Sequence, residues 1–377
     1  MKTLSVIFSL CLALSVNAQQ TFIIENVRFF NGESVLENAS VIIENGHISE
    51  VKNGKIDGNV RRIDGKNKTL IPALINAHVH AWMPDHLKEA ASAGVLSVLD
   101  MAGFEMYQDV LRNYKDSTGY AKFYAAGYAA TVPEGHGTQF GFPVPTITKP
   151  QEAKQFVKDR VNSNADYIKI ILEPWMATLS IQTVSELIKE AHLNSKLAVI
   201  HISRLEDAKL VISNNADGLV HIWRDTPMDT QTLQTLSQEK SFFVIPTLLT
   251  TIRAHDHSTL EPENFMTKAQ VLAEVKKLYD AGIPILAGTD PPNLDINYGT
   301  DLYEELKLLS EAGIPHIDVI KSATSTIATV FGLDDTGKLL EGHPAHMILL
   351  DGNPFDDINA ISRIVTVWKY GYQVNNE

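Results

Sequence analysis

The sequence predicts an α/β protein, a (β/α)8 TIM barrel joined to a small β-sandwich domain that both ends of the chain build together. Three features carry that expectation. From Thr21 to about Ile71, apolar and polar residues alternate in short runs separated by turn signals. After Pro72 the rhythm becomes one of short apolar runs divided by longer stretches with helical patterning. From residue 338 onward the alternating texture returns.

In chain order, "MKTLSVIFSLCLALSVNAQQ" combines a basic residue, an apolar stretch from Leu4 to Val16 and a small-residue step ending at Ala18. That is the pattern of a secretory signal peptide over residues 1–18, and it predicts export, to a periplasm or beyond. Cys11 is the only cysteine and falls inside it, so disulfides and thiolate ligands are not expected in the mature protein. No later stretch reaches the roughly 18 consecutive apolar residues of a membrane span. The formal charge of −13, which becomes about −14 without Lys2, argues against nucleic acid as a partner. The expected partner is a small molecule, with homo-oligomerisation left open.

Residues 19–72 contain the strand candidates "TFIIENVRFF" and "ASVIIENGHISEV", with Asn31-Gly32 and Asn45-Gly46 as turn pairs. Residues 73–337 supply eight predicted barrel strands: Ala73–His80, Val95–Met101, Lys122–Thr131, Tyr167–Leu172, Leu197–Ile202, Gly218–Ile222, Phe242–Leu248 and Ile283–Thr289. Residues 338–377, with "AHMILLDGNP" and "ISRIVTVWKYGYQV", are expected to complete the N-terminal β unit. Neither piece is large enough to bury a core alone.

Histidines and an acid stand at the ends of these strands. His78 and His80 lie two apart on the first, so both point to one face. His201 ends the fifth, His221 ends the sixth, and Asp290 follows the eighth. The C-terminal strand ends of such a barrel converge, and imidazoles with a carboxylate suit zinc or a similar divalent ion. "YIKI" sets Lys169 among strand-forming apolar residues of the fourth strand, where an ammonium would pay several kcal/mol in lost hydration. A desolvated lysine can be a free amine, and a free amine adds carbon dioxide to give a carbamate. Two carbamate oxygens could bridge two metal ions about 3.5 to 4 Å apart.

This ordered set resembles the amidohydrolase superfamily, in particular its imidazolonepropionase-like and Xaa-Pro dipeptidase-like branch with a binuclear metal centre. The likeness runs from "PALINAHVH" to "AHMILLDGNP" and so covers nearly all of the mature chain. It implies two divalent ions, zinc first among the candidates. His78, His80 and Asp290 would hold one, His201 and His221 the other, with N6-carboxylated Lys169 and a hydroxide between them. Asp290 would also carry the proton from that hydroxide to the leaving amine. His136, in "PEGHGTQFGFP" over the barrel mouth, resembles a "GH" element that contacts the substrate carbonyl. Two positions depart from the family pattern: Asn76 and His346 stand where acids are usual.

Plainer readings apply elsewhere. Lys169 could snorkel from its strand end or pair with Glu173; Trp175, Trp223, Arg224 and Arg253 could line a pocket or simply pack; His255 and His257 read as a solvated loop. His47, His86, His192, His316, His343 and His346 read as surface or structural residues. The expected function is a secreted metal-dependent hydrolase of an amide or peptide-like C–N bond, acting on a dipeptide or an N-acyl amino acid. A cyclic amide hydrolase or a deaminase is the alternative enzyme, and a non-catalytic metal-binding barrel the alternative of another class.

Overall fold

The structure is a computed structural model that describes residues 21–257 and 265–374, so the expected signal peptide lies outside the described residues. Five strands come first: β1 (Phe22–Phe30), β2 (Val35–Glu44), β3 (His47–Asn53), β4 (Arg61–Asp64) and β5 (Lys68–Pro72). Seven follow: β6 (Leu74–Val79), β7 (Val95–Asp100), β8 (Lys122–Ala125), β9 (Ile168–Ile171), β10 (Ala198–His201), β11 (Gly218–Val220) and β12 (Phe243–Ile245). The last are β13 (Met347–Asp351), β14 (Ile364–Lys369) and β15 (Tyr372–Gln373).

The two ends of the chain share one sheet, in the order β15-β14-β13-β5-β1-β2-β3 with β4 also on β1. Its junction is the antiparallel pair β13 and β5, with Ile348 opposite Ile71. Asn45 and Gly46 both take positive φ, 54° and 78°, which is what a two-residue turn matched to strand twist requires between β2 and β3. Phe22, Val41, Ile48, Leu70, Met347 and Trp368 form one apolar cluster on this sheet.

The middle of the chain is α/β and TIM-barrel-like. β6, β7 and β8 form one parallel sheet, and β9 to β12 another. Backbone hydrogen bonds link them on both sides. Ala130 N donates to Lys169 O (2.9 Å), Leu286 N to Val244 O (2.9 Å) and Ala77 N to Ala287 O (2.9 Å). Ile75, Leu99, Val199, Val220, Ile245 and Leu286 pack together on the inside of these strands. Leu87, Val184, Leu187, Val211 and Leu302 belong to the larger cluster between strands and helices.

All eight predicted strands are regular over shorter spans than expected, and the seventh stops at Ile245 because a helix already begins at Leu248. The third is regular only over Lys122–Ala125, because Gly127 (φ 76°) breaks the ladder before Ala130 resumes it. The eighth makes a single bridge, Ile285 to Val244. Pro284 there has no N–H to give, and Gly288 runs so close to the first strand that a Cβ would lie 2.9 Å from His78 N. A further correction concerns "RAHDH", residues 253–257, expected within a solvated loop. It ends a helix, Leu248–His257, whose first amides are capped by the buried carboxylate of Glu305.

Candidate active site

β6 ends at Val79, and the two histidines around that end turn their rings together. His78 Nε2 lies 3.3 Å from His80 Nε2, and the two nitrogens lie 3.2 and 3.0 Å from Asp290 Oδ1. His80 Nδ1 faces the carbonyl of Ala102 at 2.8 Å, which can only accept, so Nδ1 carries the proton and Nε2 presents a lone pair. Three acceptor atoms this close need a proton or a cation among them. Burial disfavours a charge on His80, but Asp290, Asp100 and the Ala102 carbonyl together raise the His80 pKa. Burial and the surrounding cations hold His78 well below the ordinary range.

His221, just past β11, is oriented in the same manner. The Thr247 hydroxyl donates to Pro246 O at 2.8 Å, so it must accept from His221 Nδ1 at 2.6 Å, and Nε2 is left as the free lone pair. His201 ends β10, where its Nε2 meets Glu173 Oε2 at 3.1 Å while the Ser203 hydroxyl donates to Glu173 Oε1 at 2.7 Å. Burial pushes the Glu173 carboxyl up, but the hydrogen bonds from His201, Ser203 and Trp175 N bring it down to about 2. As a carboxylate, Glu173 accepts Nε2–H from His201 and leaves Nδ1 as the donor nitrogen. The plain alternative for Lys169 therefore fails on this point: Glu173 is engaged by His201 and Ser203.

The imidazoles form a contiguous row. Ring centroids lie 5.2 Å apart for His80 and His78, 5.1 Å for His78 and His221, 4.6 Å for His221 and His201, and 4.8 Å for His201 and His136. Burial and mutual repulsion lower His221 well below its usual range, lower His201, and take His136 down to about 4. Lys169, on β9, is buried, and desolvation takes its amine to about 7 against the pull of Asp290 and Asp100. A row of imidazoles, four of them held neutral by burial, beside an amine and a carboxylate is a donor set suited to divalent metal. The ligand atoms of His78, His221 and Asp290 lie within 4.8 Å of one another, and His78 Nδ1 is buried without a hydrogen-bond partner among the described residues.

Backbone strain accompanies the site. His221 (φ 68°), Thr247 (φ 44°) and Asp290 (φ 64°) all take left-handed conformations directly after strands or strand-like segments. Each costs on the order of 1 to 2 kcal/mol for a residue with a Cβ. Asn76, the departure from the family pattern, braces the first strand to the eighth. Its Oδ1 accepts from His78 N and Thr289 N, both at 3.1 Å, and its Nδ2 donates to Thr289 Oγ1 at 2.7 Å.

Above this row opens a cavity of about 550 Å3. Phe104, Tyr128, Phe140 and Phe142 line one side, from the segments after β7 and β8; Ser203, Arg224, Thr250 and Thr251 line the other. His136 lines it too, as expected for a residue over the mouth. Of the four residues weighed as pocket or packing, Arg224 lines the cavity. Trp223 is wholly buried, Trp175 stands exposed over Phe265, and Arg253 reaches Leu294 O and Asp301. His346 is buried in the sheet unit and His192 sits on the surface against Asp217. Sequence reasoning missed Thr247, Asp100 and the aromatic wall. Asp100 is buried at the end of β7, holds Ala81 N at 2.8 Å, and is pushed up to about 7 by burial. Nothing in local spacing marks these residues, since each acts on a partner far away in sequence.

Comparison with known proteins supplies the remaining evidence. The chain is 24% identical over 405 residues to a 5-methylthioadenosine/S-adenosylhomocysteine deaminase of Dictyoglomus turgidum, spanning 91% of this chain and 88% of that protein. It is 22% identical over 372 residues to the ochratoxinase of Aspergillus niger, spanning 80% and 75%. Among solved structures it resembles a Xaa-Pro dipeptidase with bound methionine in the active site, with a TM-score of 0.81, 22% identity and coverage of 94% and 99%. The amidohydrolase family pattern matches residues 69–374, a span that holds every strand end carrying the histidines, Lys169 and Asp290, and the chain belongs to that family.

Proposed function

We propose that this protein is an exported, metal-dependent amidohydrolase that cleaves a carbon–nitrogen bond of amide or peptide type, with dipeptides or N-acyl amino acids as substrates. The observation that carries the reading is the buried Lys169 beside the row of imidazoles. A lysine there is costly as a cation and useful as a carbamate. In this reading residues 1–18 are a signal peptide, residues 73–337 a closed barrel of eight strands, and residues 19–72 with 338–377 a β-sandwich. The hydrogen bonds from Ala130 to Lys169 and from Ala77 to Ala287 support closure, and the single apolar cluster of the shared sheet supports the sandwich.

His78, His80 and Asp290 would hold one divalent ion and His201 and His221 a second, with carboxylated Lys169 between them. Bound ions, zinc first among the candidates, would polarise the scissile carbonyl and acidify a water. Asp290 Oδ1 is already engaged by the two histidines and by Asn293 Nδ2 at 2.9 Å, so its other oxygen is the one to take a proton from the attacking water. That proton passes to the leaving nitrogen as the C–N bond breaks and the new C–O bond forms, giving an acid and an amine. His136, neutral at ordinary pH, would donate an N–H to the carbonyl oxygen as negative charge builds there.

A deaminase is the second reading, favoured by the named activity of the Dictyoglomus relative. Water would then add to a ring carbon and release ammonia. The test is metal analysis of the purified protein together with a screen of dipeptides, N-acyl amino acids, cyclic amides and aminopurine nucleosides. About two ions per chain with amine release from an amide is the expected outcome. One ion with ammonia release from a nucleoside would replace it with the deaminase.

A further inference from the structure

The two sides of the cavity differ in chemistry. On one side Phe140 and Phe142 stand 55% and 43% exposed, large apolar surface left open at a cavity mouth. Behind them Phe104 meets Phe142 with ring centroids 4.6 Å apart at 73°, and Tyr128 at 6.4 Å and 90°. Edge-to-face and stacked contacts among these rings build a continuous apolar wall. On the other side stands Arg224, three residues after His221. It stands between this cavity and a smaller neighbouring one, where its guanidinium lies 5.0 Å from the Phe265 ring, and its Nε is buried with no hydrogen-bond partner among the described residues. A buried guanidinium nitrogen lacking a partner is costly unless an anion completes it.

The lining acids are already committed. Glu173 is held by His201 and Ser203, and Asp290 by His78, His80 and Asn293. No other carboxylate lines the cavity among the described residues. A dipeptide would bring a free ammonium to the aromatic side, where no uncommitted acid waits to receive it. We propose that the site is built for N-acyl amino acids with an uncharged aromatic or apolar acyl group, the acyl part on the Phe104–Phe142 wall and the amino-acid carboxylate on Arg224. The inference rests on the hydrolase reading above and narrows its substrate class. Water would cleave the acyl C–N bond, releasing an apolar carboxylic acid and a free amino acid.

The test compares N-benzoyl-leucine, its methyl ester and phenylalanyl-leucine with the metal-loaded full chain, following benzoate or leucine release. N-benzoyl-leucine should exceed phenylalanyl-leucine in kcat/KM by about tenfold or more, and the ester should fall by a similar factor. Arg224→Met should collapse the ratio of acid to ester, chiefly through KM. Calorimetric binding of N-benzenesulfonyl-leucine, which the enzyme cannot hydrolyse in this way, gives a readout apart from turnover: Arg224→Met should raise its Kd by about tenfold or more. Equal or faster cleavage of the free dipeptide overturns the proposal while leaving the hydrolase intact. So does an Arg224→Met variant with an unchanged acid-to-ester ratio. Failure to cleave any amide overturns the hydrolase reading and this one together.

Discussion

Lys169 concentrates the residue-scale argument. Its side chain is 3% exposed on β9, so a permanent ammonium there would carry a desolvation cost that Asp290 and Asp100 offset only in part. Lys169→Ala should lose more than about 100-fold in kcat/KM and drop from about two bound ions to one or none, with acetate or propionate partly restoring both. Lys169→Met separates function from folding. It should lose the same activity while its melting temperature holds or rises, since a buried amine has been replaced by an apolar chain of similar length. Two ions and full turnover in either variant would remove the carbamate. His78, His80 and Asp290 were legible as polar intrusions at strand ends and Lys169 as one inside a strand, and the polarity itself is the signal. Glu173 was visible only as a neighbour in sequence, and it binds His201 instead, 28 positions away.

Among the elements, the segment from Pro246 to His257 shows why some of the site stays out of reach of sequence. Thr247 sets the proton position on His221, and it sits in a left-handed conformation directly before the helix Leu248–His257. That helix start is held by Glu305, a wholly buried carboxylate whose oxygens accept from Leu248 N at 2.9 Å and Leu249 N at 2.8 Å. The contact spans 57 positions, so no local pattern announces it. Glu305→Ala would leave two amides unsatisfied at the helix start, at about 1 to 3 kcal/mol each. The expected loss is about 2 to 4 kcal/mol in denaturant unfolding, accompanied by weaker metal binding because Thr247 loses its anchor. Glu305 acts as a positioning residue: Glu305→Gln keeps one acceptor and should recover part of both losses. A change below about 0.5 kcal/mol in Glu305→Ala would show that the helix start has other support.

Over the whole molecule, seven of the eight predicted apolar runs contain the strands β6 to β12, and the eighth makes only the bridge from Ile285 to Val244. The seating of the shared sheet against the barrel was not legible, because it depends on side chains that read as ordinary surface residues. Lys369, wholly buried on β14, donates to Ser117 O at 2.8 Å and Tyr120 O at 2.6 Å, in the segment just before β8. Lys122 pairs with Asp335 nearby and lies 5.3 Å from the Tyr370 ring. His346, one residue before β13, is buried among them; its Nδ1 accepts from Tyr370 N at 3.2 Å, and its Nε2 has no partner among the described residues. Burial first, then the charges of Lys122 and Lys369, push His346 down to about 2. Between the unfolded value of about 6.5 and that folded value the unfolded chain binds one more proton, so stability falls as pH drops through this window. Above it both states are neutral and the term vanishes. His346 should therefore contribute a slope approaching about 1.4 kcal/mol per pH unit below pH 6. His346→Gln, whose carbonyl can still accept from Tyr370 N, removes the titration. Unfolding free energies of the two metal-loaded proteins, measured from pH 7.5 to 5, should diverge steadily below pH 6.5, with the variant losing less. Parallel curves would mean that His346 is protonated in the folded state and that Lys122 and Lys369 do not hold it neutral.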